Sequence, residues 1–290
     1  MVKIIGTNGP DIVSLISTVP GQPLPTNFAD RILGRGDDDA LSGLGGNDRI
    51  VGNRGNDALS GDDGDDLLLG GYGNDPITGG TGDDRASGGA GRDAIAGNDG
   101  DDLLRGGAGR DALSGGSGND KLNGGLGKDV LSGGADNDAL LGGKARDLLR
   151  GDTGDDTLRA GGGNDLADGG LGADFISGGA GKNALIGGGG NDFFVFADRG
   201  AIDKVLDFNP IDDGFVLIKS AFAGIGPEGT LQAKYFHVGE AETPTQRILY
   251  DENTGWLRYA RNGSDTANPV KFAKIGAGLD IDADHFLVSA

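Results

Sequence analysis

The sequence predicts an all-β chain: a right-handed parallel β-roll of nine-residue repeats, closed by a β-rich C-terminal capping domain. Three observations carry this. Asp, Gly and one aliphatic residue recur at nine-residue intervals through the middle of the chain. Gly supplies 61 of 290 residues, about three times its usual share of roughly 7%. From about residue 193 the composition shifts to alternating apolar and polar residues, the pattern of half-buried strands. With only 6% aromatic residues, the Gly-rich stretch cannot build a conventional compact core.

Residues 1–29 are expected to cap the start of the roll. "GTNGPDIVS" fits the repeat as an isolated copy around Asp11, and Asp30-Arg31-Ile32 reads as its degenerate resumption. The apolar stretch before it is broken by Gly6, Asn8, Gly9, Pro10 and Asp11, which makes a poor secretory signal. Met1 followed by a repeat-like segment favours a complete chain over a fragment.

Residues 30–195 form the repeat. Stepping by nine gives Asp39, Asp48, Asp57, Asp66, Asp75, Asp84, Asp93, Asp102, Asp111, Asp120, Asp129, Asp138, Asp147, Asp156, Asp165, Asp174, then Asn183, then Asp192. Two residues after each stands Leu or Ile in most units, with Ala86, Ala167 and Phe194 as variants. Two residues before each stands Gly, except at Asp37, which disturbs the first turn, and at Asp136 and Ala145, which replace a Gly expected to take φ > 0. The unit is G-G-x-G-x-D-x-(L/I/F)-x. Its Gly-rich six residues should form a turn and its last three a short strand whose middle side chain points inward. Two units make one coil, 18 residues round, with the aliphatic side chains stacked inside as two ladders.

This stacking puts Asp93 over Asp111 and Asp102 over Asp120, about 4.8 Å apart. Two unit charges at that distance repel by about 1 kcal/mol in water and about 3 to 4 at an effective dielectric of 20. A divalent ion between turns reverses the sign. Carboxylate and carbonyl oxygens suit Ca²⁺, whose six to eight ligands tolerate irregular geometry. Asp alone is common in turns, but Asn, Ser or Gly would serve turns as well, and only Asn183 interrupts the rank. The seventeen Asp named above are therefore the expected metal ligands. The residue before each Asp varies (Asn47, Asp65, Arg92, Arg110, Lys128, Ala173) and reads as a solvated loop tip.

These repeats resemble the nonapeptide of the RTX, or haemolysin-type calcium-binding, repeat proteins, over residues 34 to 195 without a gap. The resemblance implies multiple bound Ca²⁺, a chain unfolded at low cytosolic calcium, and folding outside the cell. It also implies export by a type I secretion apparatus, and a secreted, extracellular protein.

Residues 196–290 are expected to be a β-rich flanking and secretion domain. "RILYDENTGWLRYARNG" reads as a hairpin with Asn-Thr-Gly at its turn. The tail is similar to type I secretion regions: after Lys274 there is no Lys or Arg, and the chain ends "DADHFLVSA".

Other functions find little support. A net charge of −20 disfavours nucleic acid and anionic membrane surfaces, and no run reaches the ~18 apolar residues of a membrane helix, so no membrane insertion is expected. Zero Cys excludes disulfides and thiolate sites. No G-x-S-x-G, H-E-x-x-H or Walker motif is present. His237 and His285 read as strand or surface residues. Asp280-x-Asp282-x-Asp284 resembles the start of an EF-hand, but His285 stands where Gly is required. An ice-binding solenoid would want a flat rank of Thr, whereas the position after each inward residue holds Ser42, Val51, Ser60, Leu69, Thr78, Ser87, Ala96 and Arg105. The reading is a secreted, non-enzymatic calcium-binding β-roll that acts as a structural or interaction module, with a glycan or cell surface among its possible partners. The alternative is the calcium-binding accessory or secretion part of an RTX exoenzyme such as a protease, lipase or alginate epimerase.

Overall fold

Aliphatic residues that face inward once per nine residues need a partner sheet to cover them, and two units per coil supply it. In the computed structural model, which describes residues 3–5, 12–13, 26–197, 202–261 and 269–290, the chain divides into two compact units, Met1–Leu148 and Leu149–Ala290.

In the first unit, successive strands alternate between two parallel sheets. One contains Arg31–Arg35, Arg49–Arg54, Leu67–Tyr72, Arg85–Ala90, Leu103–Ala108, Lys121–Leu126 and Ala139–Lys144; the other contains Ala40–Ser42, Ala58–Asp63, Pro76–Thr81, Ala94–Asp99, Ala112–Ser117 and Val130–Ala135. Each strand pairs with the strand 18 residues along. Leu104 lies opposite Leu122 and Leu122 opposite Leu140, while Ile77, Ile95, Leu113 and Leu131 form the second inner ladder. All of these are at most 3% exposed. Lys3–Ile5 and Ile12–Val13 add one parallel strand to each sheet, with Ile12 opposite Ala40. Asp11 lies outside the described residues.

The strands are longer than the sequence pattern suggests. They run for six residues, as in Ala94–Asp99, and leave only Gly100–Asp102 for the turn. In these six-residue strands the first Gly is therefore a buried strand residue, and the second, still within the strand, carries positive φ, as at Gly107 (112°) and Gly116 (131°). Alternation between sheets also sorts the outward residues. Ser42, Ser60, Thr78 and Ala96 lie on one sheet, and Val51, Leu69, Ser87 and Arg105 on the other.

In the second unit the aliphatic ladder turns aromatic. Ile176 pairs with Phe194, Phe194 with Phe215, and Phe215 with Phe286, all in parallel register. Phe208 stacks on Phe215 at 4.4 Å, and Phe272 meets Phe196 edge-on at 5.4 Å. The aromatic cluster gives this region the dense core that the Gly-rich repeat lacks. The expected hairpin is present: Ile248–Asp251 pairs antiparallel with Trp256–Tyr259, and Gly255 takes φ of 74° in the turn. Val270–Lys274 and Phe286–Ser289 return to parallel pairing, against Asp203–Val205 and Gly214–Ile218. Among the described residues no helix is long and apolar enough to cross a membrane.

Candidate metal centre

The repeated Asp begins each turn-to-strand transition, and its side chain folds back under the turn. All seventeen Asp of the expected rank are at most 3% exposed. Residues nine apart fall on opposite edges of the roll, whereas residues 18 apart stack on the same edge. The structure thus brings Asp93 to Asp111, and Asp102 to Asp120, as the repeat implies.

The two carboxylate oxygens have different surroundings. Oδ1 accepts the backbone N–H of the Asp 18 residues earlier: Asp84 donates to Asp102 at 2.8 Å, Asp93 to Asp111 at 2.9 Å, Asp102 to Asp120 at 2.8 Å and Asp174 to Asp192 at 3.0 Å. Oδ2 is buried and accepts no hydrogen bond in Asp48, Asp57, Asp66, Asp75, Asp84, Asp93, Asp102, Asp111, Asp120, Asp129, Asp174 and Asp192. It lies against the first Gly of its own unit, where a Cβ would collide with it, as at Gly97 with Asp102 and Gly106 with Asp111. The carbonyl oxygen of the glycine one coil further on closes on the same point, Gly115 for Asp102 and Gly124 for Asp111. At Gly97 and Gly106 it is space and not backbone conformation that favours glycine, since neither has positive φ.

Burial of an ionised carboxylate without a donor is costly. Desolvation pushes Asp48, Asp84, Asp102 and Asp174 up to about 7, and Asp66, Asp75, Asp111, Asp120 and Asp192 up to about 6. The backbone hydrogen bond to Oδ1 opposes the shift only in part. The stacked neighbours add to it: Asp120 for Asp102, Asp93 and Asp129 for Asp111. A cation in contact with Oδ2 would remove both penalties.

The ends of the pattern supply the control. Asp30, in the first unit, has the same Oδ1 contact as a donor chain member, its N–H reaching Asp48 at 2.6 Å. Its own Oδ2 accepts from the backbone N–H of Thr26 at 2.7 Å and the Thr26 hydroxyl at 3.0 Å. In the second unit, Asp213 Oδ1 accepts from Asp192 N–H at 3.1 Å, and its Oδ2 from Asn209 N–H at 2.8 Å. Protein donors thus serve Oδ2 in these two terminal members and are missing from the members named above. Among the described residues no three His, Asp or Glu side chains converge. A metal here would therefore draw carboxylates from two stacked turns and the rest of its shell from carbonyl oxygens. That all-oxygen, irregular donor set fits Ca²⁺.

Sequence reasoning missed Asp203 and Asp213. Asn183 N–H donates to Asp203 Oδ1 at 3.1 Å, continuing the ladder as Asp213 does. Their spacings are 20 and 21 residues, so a nine-residue step passes over them. The triplets Asp203-Lys204-Val205 and Asp213-Gly214-Phe215 keep the D-x-apolar signature and could have revealed them. The histidines play structural parts: His285 bridges Asp282 Oδ1 and the Pro210 carbonyl, both at 2.9 Å, and Asp282 caps the short 3-10 turn Ala283–His285. This accounts for Asp280 to Asp284 without a metal loop.

Stacked nine-residue units with inward carboxylate ranks define a calcium-binding β-roll repeat protein. Overlapping stretches from residues 26–59 through 160–194 match the RTX calcium-binding nonapeptide repeat (4 copies), and the chain belongs to that family. It is similar, at 25% identity and a TM-score of 0.44, to a solved structure of a hyperactive, Ca²⁺-dependent, β-helical antifreeze protein from an Antarctic bacterium, with 73% of this chain and 78% of that one covered. It also matches the extracellular lipase LipA from Serratia marcescens at 18% identity and a TM-score of 0.23, covering 84% of this chain and 45% of the lipase. Neither likeness is close enough to carry an argument about function. No curated protein matches the chain. The protein is a calcium-binding repeat module.

Proposed function

We propose that this chain is a secreted module whose folding is switched on by extracellular calcium, with the ions held by the Asp rank from Asp39 to Asp192. The observation that carries this is the series of buried Oδ2 atoms lacking donors, between terminal members that have them. A Gly-rich chain also loses more backbone entropy on ordering than most, and one aliphatic side chain per nine residues returns little. Metal binding then becomes folding free energy. On this reading residues 1–29 cap the start, 30–195 take up calcium, and 196–290 cover the end and carry the export signal for a type I apparatus. Support for the last part is compositional: the acidic, then apolar terminus without Lys or Arg after Lys274. The module is non-catalytic, since equivalent carboxylates repeated along a roll provide no unique acid/base pair. Its work is to present a rigid extracellular surface to a glycan, a cell surface or another protein.

In chelator, circular dichroism should show a largely disordered repeat region, with β signal appearing cooperatively at about 0.1 to 1 mM Ca²⁺. The aromatic second unit can retain some structure. A spectrum unaffected by exhaustive chelation would refute calcium-triggered folding. For export, deletion of residues 231–290 should trap the chain inside a host with a type I exporter, while deletion of residues 1–29 should not. Secretion of the shortened chain would place the signal elsewhere.

A further inference from the structure

Along the sequence, the residue before each repeated Asp mixes acids, bases and amides without pattern. Stacked at 18-residue spacing, it separates by sign over residues 65 to 128. The turns leading into Ala94–Asp99, Ala112–Ser117 and Val130–Ala135 carry Arg92, Arg110 and Lys128; the turns on the opposite edge carry Asp65, Asp83 and Asp101. All six are exposed.

The acidic edge is held in register by its own backbone. Asp83 N–H donates to Asp65 Oδ1 at 3.0 Å, Asp101 N–H to Asp83 Oδ1 at 2.9 Å and Asn119 N–H to Asp101 Oδ1 at 2.7 Å. On the other edge this ladder stops where Arg92 N–H donates to Asn74 Oδ1 at 2.7 Å, because Arg and Lys side chains cannot accept. None of the three cations forms an ion pair among the described residues, in contrast to Arg258, which pairs with Glu240 at 2.7 Å. Both edges repeat at one strand spacing, about 4.8 Å.

We propose that these edges pair between copies: the acidic edge of one molecule lies along the basic edge of the next, turn against turn. The two complements sit on one molecule at one pitch, which fits a second copy better than any unrelated partner. Because the joined edges differ, the contact is heterologous and leaves an unused edge at each side, so copies add in rows. Individual exposed ion pairs contribute little and are screened by salt, so association is weak per turn and summed over the roll. A net charge of −20 opposes it until bound calcium offsets the inner carboxylates.

Sedimentation velocity tests this. In saturating Ca²⁺ at about 20 mM salt, the average mass should rise with protein concentration, and the rise should vanish at about 0.5 M salt. R92E/R110E/K128E should stay monomeric alone yet join the unaltered chain. D65N/D83N/D101N should also stay monomeric, and it retains the side-chain acceptors of the turn ladder, as Asn74 does. Circular dichroism on the same samples reports whether the roll has folded, which separates this proposal from calcium-triggered folding. A monomeric parent, or variants that associate as well as the parent, would overturn it. Calcium-dependent association of the triple Glu variant alone would likewise overturn it, because that outcome requires metal bridging between acidic edges.

Discussion

Residues 88–129 and residues 160–213 carry out the same stacking with different chemistry. In the first stretch every unit keeps its first Gly and its Asp; in the second, Ala160 replaces that Gly, Asn183 replaces Asp, and the last two steps lengthen to 20 and 21 residues. What survives in both is the rung from a backbone N–H to Oδ1. Asp165 N–H donates to Asn183 Oδ1 at 2.9 Å, the same length as Asp93 to Asp111. What lapses at position 183 is the second oxygen. Asn183 puts Nδ2 where the others have Oδ2, and that nitrogen donates to Asp203 Oδ1 at 2.8 Å. The amide supplies internally a positive partner of the kind that, on the proposed reading, the middle of the roll takes from solution. On the proposed reading, Oδ1 builds the fold and Oδ2, with its glycine cradle, is the oxygen left to hold the metal.

Asp111→Ala should break the comparison most severely. It removes the rung acceptor of Asp93 N–H, worth about 1 to 3 kcal/mol when buried, and it takes ligands from the sites on both sides. Calorimetric titration should show a loss of about two bound ions and a several-fold higher calcium midpoint, because neighbouring repeats are coupled. Asn183→Ala should leave the stoichiometry unchanged. Asp111→Asn sharpens the point: it should lose the same ions while keeping more of the β signal at high calcium than Asp111→Ala does. Equal stoichiometry losses in Asp111→Ala and Asn183→Ala would show that charge in the rank is not what holds the metal.

The roll was legible because its rules are local. Asp136 and Ala145 replace a Gly that the repeat expects to take positive φ, and they have φ of 75° and 79°; Asp37, at the same offset, has 65°. The inward ladder, the stacking of Asp 18 residues apart and the hairpin before Trp256 followed from spacing alone. What escaped was set by the coil and not by the repeat. A nine-residue alignment cannot distinguish the two edges, so Arg92 and Asp65 read as scatter at one loop position. Nor can it follow a ladder through insertions, which hid Asp203 and Asp213. The six-residue strands were underestimated because Gly-Gly reads as a turn, although the first Gly of each pair is extended and buried to admit a carboxylate.

Acid gives a smaller and subtler probe of the same division of labour. An Asp raised in the folded state binds protons more tightly there than in the unfolded chain, where its value is about 3.9. Protonation therefore favours the metal-free roll, most fully below about 4, and that contribution is lost as pH rises through the folded values of about 6 for Asp111 and Asp120 and about 7 for Asp84 and Asp102. This is opposite in sign to the usual acid lability of paired carboxylates. Calcium-free protein taken from about pH 8 to about pH 5 should gain β signal, and hydrogen exchange should show protection rising first around Asp48, Asp84, Asp102 and Asp174, whose values are highest. Asn183 has no proton to gain, so the amides around it should respond less. The effect should remain below that of saturating calcium, because a proton neutralises one carboxylate and leaves the carbonyl oxygens of Gly115 and Gly124 without the shared ion. Loss of β signal on acidification would mean that the rank is already ionised and satisfied without metal, and the separate roles of Oδ1 and Oδ2 would fall with it.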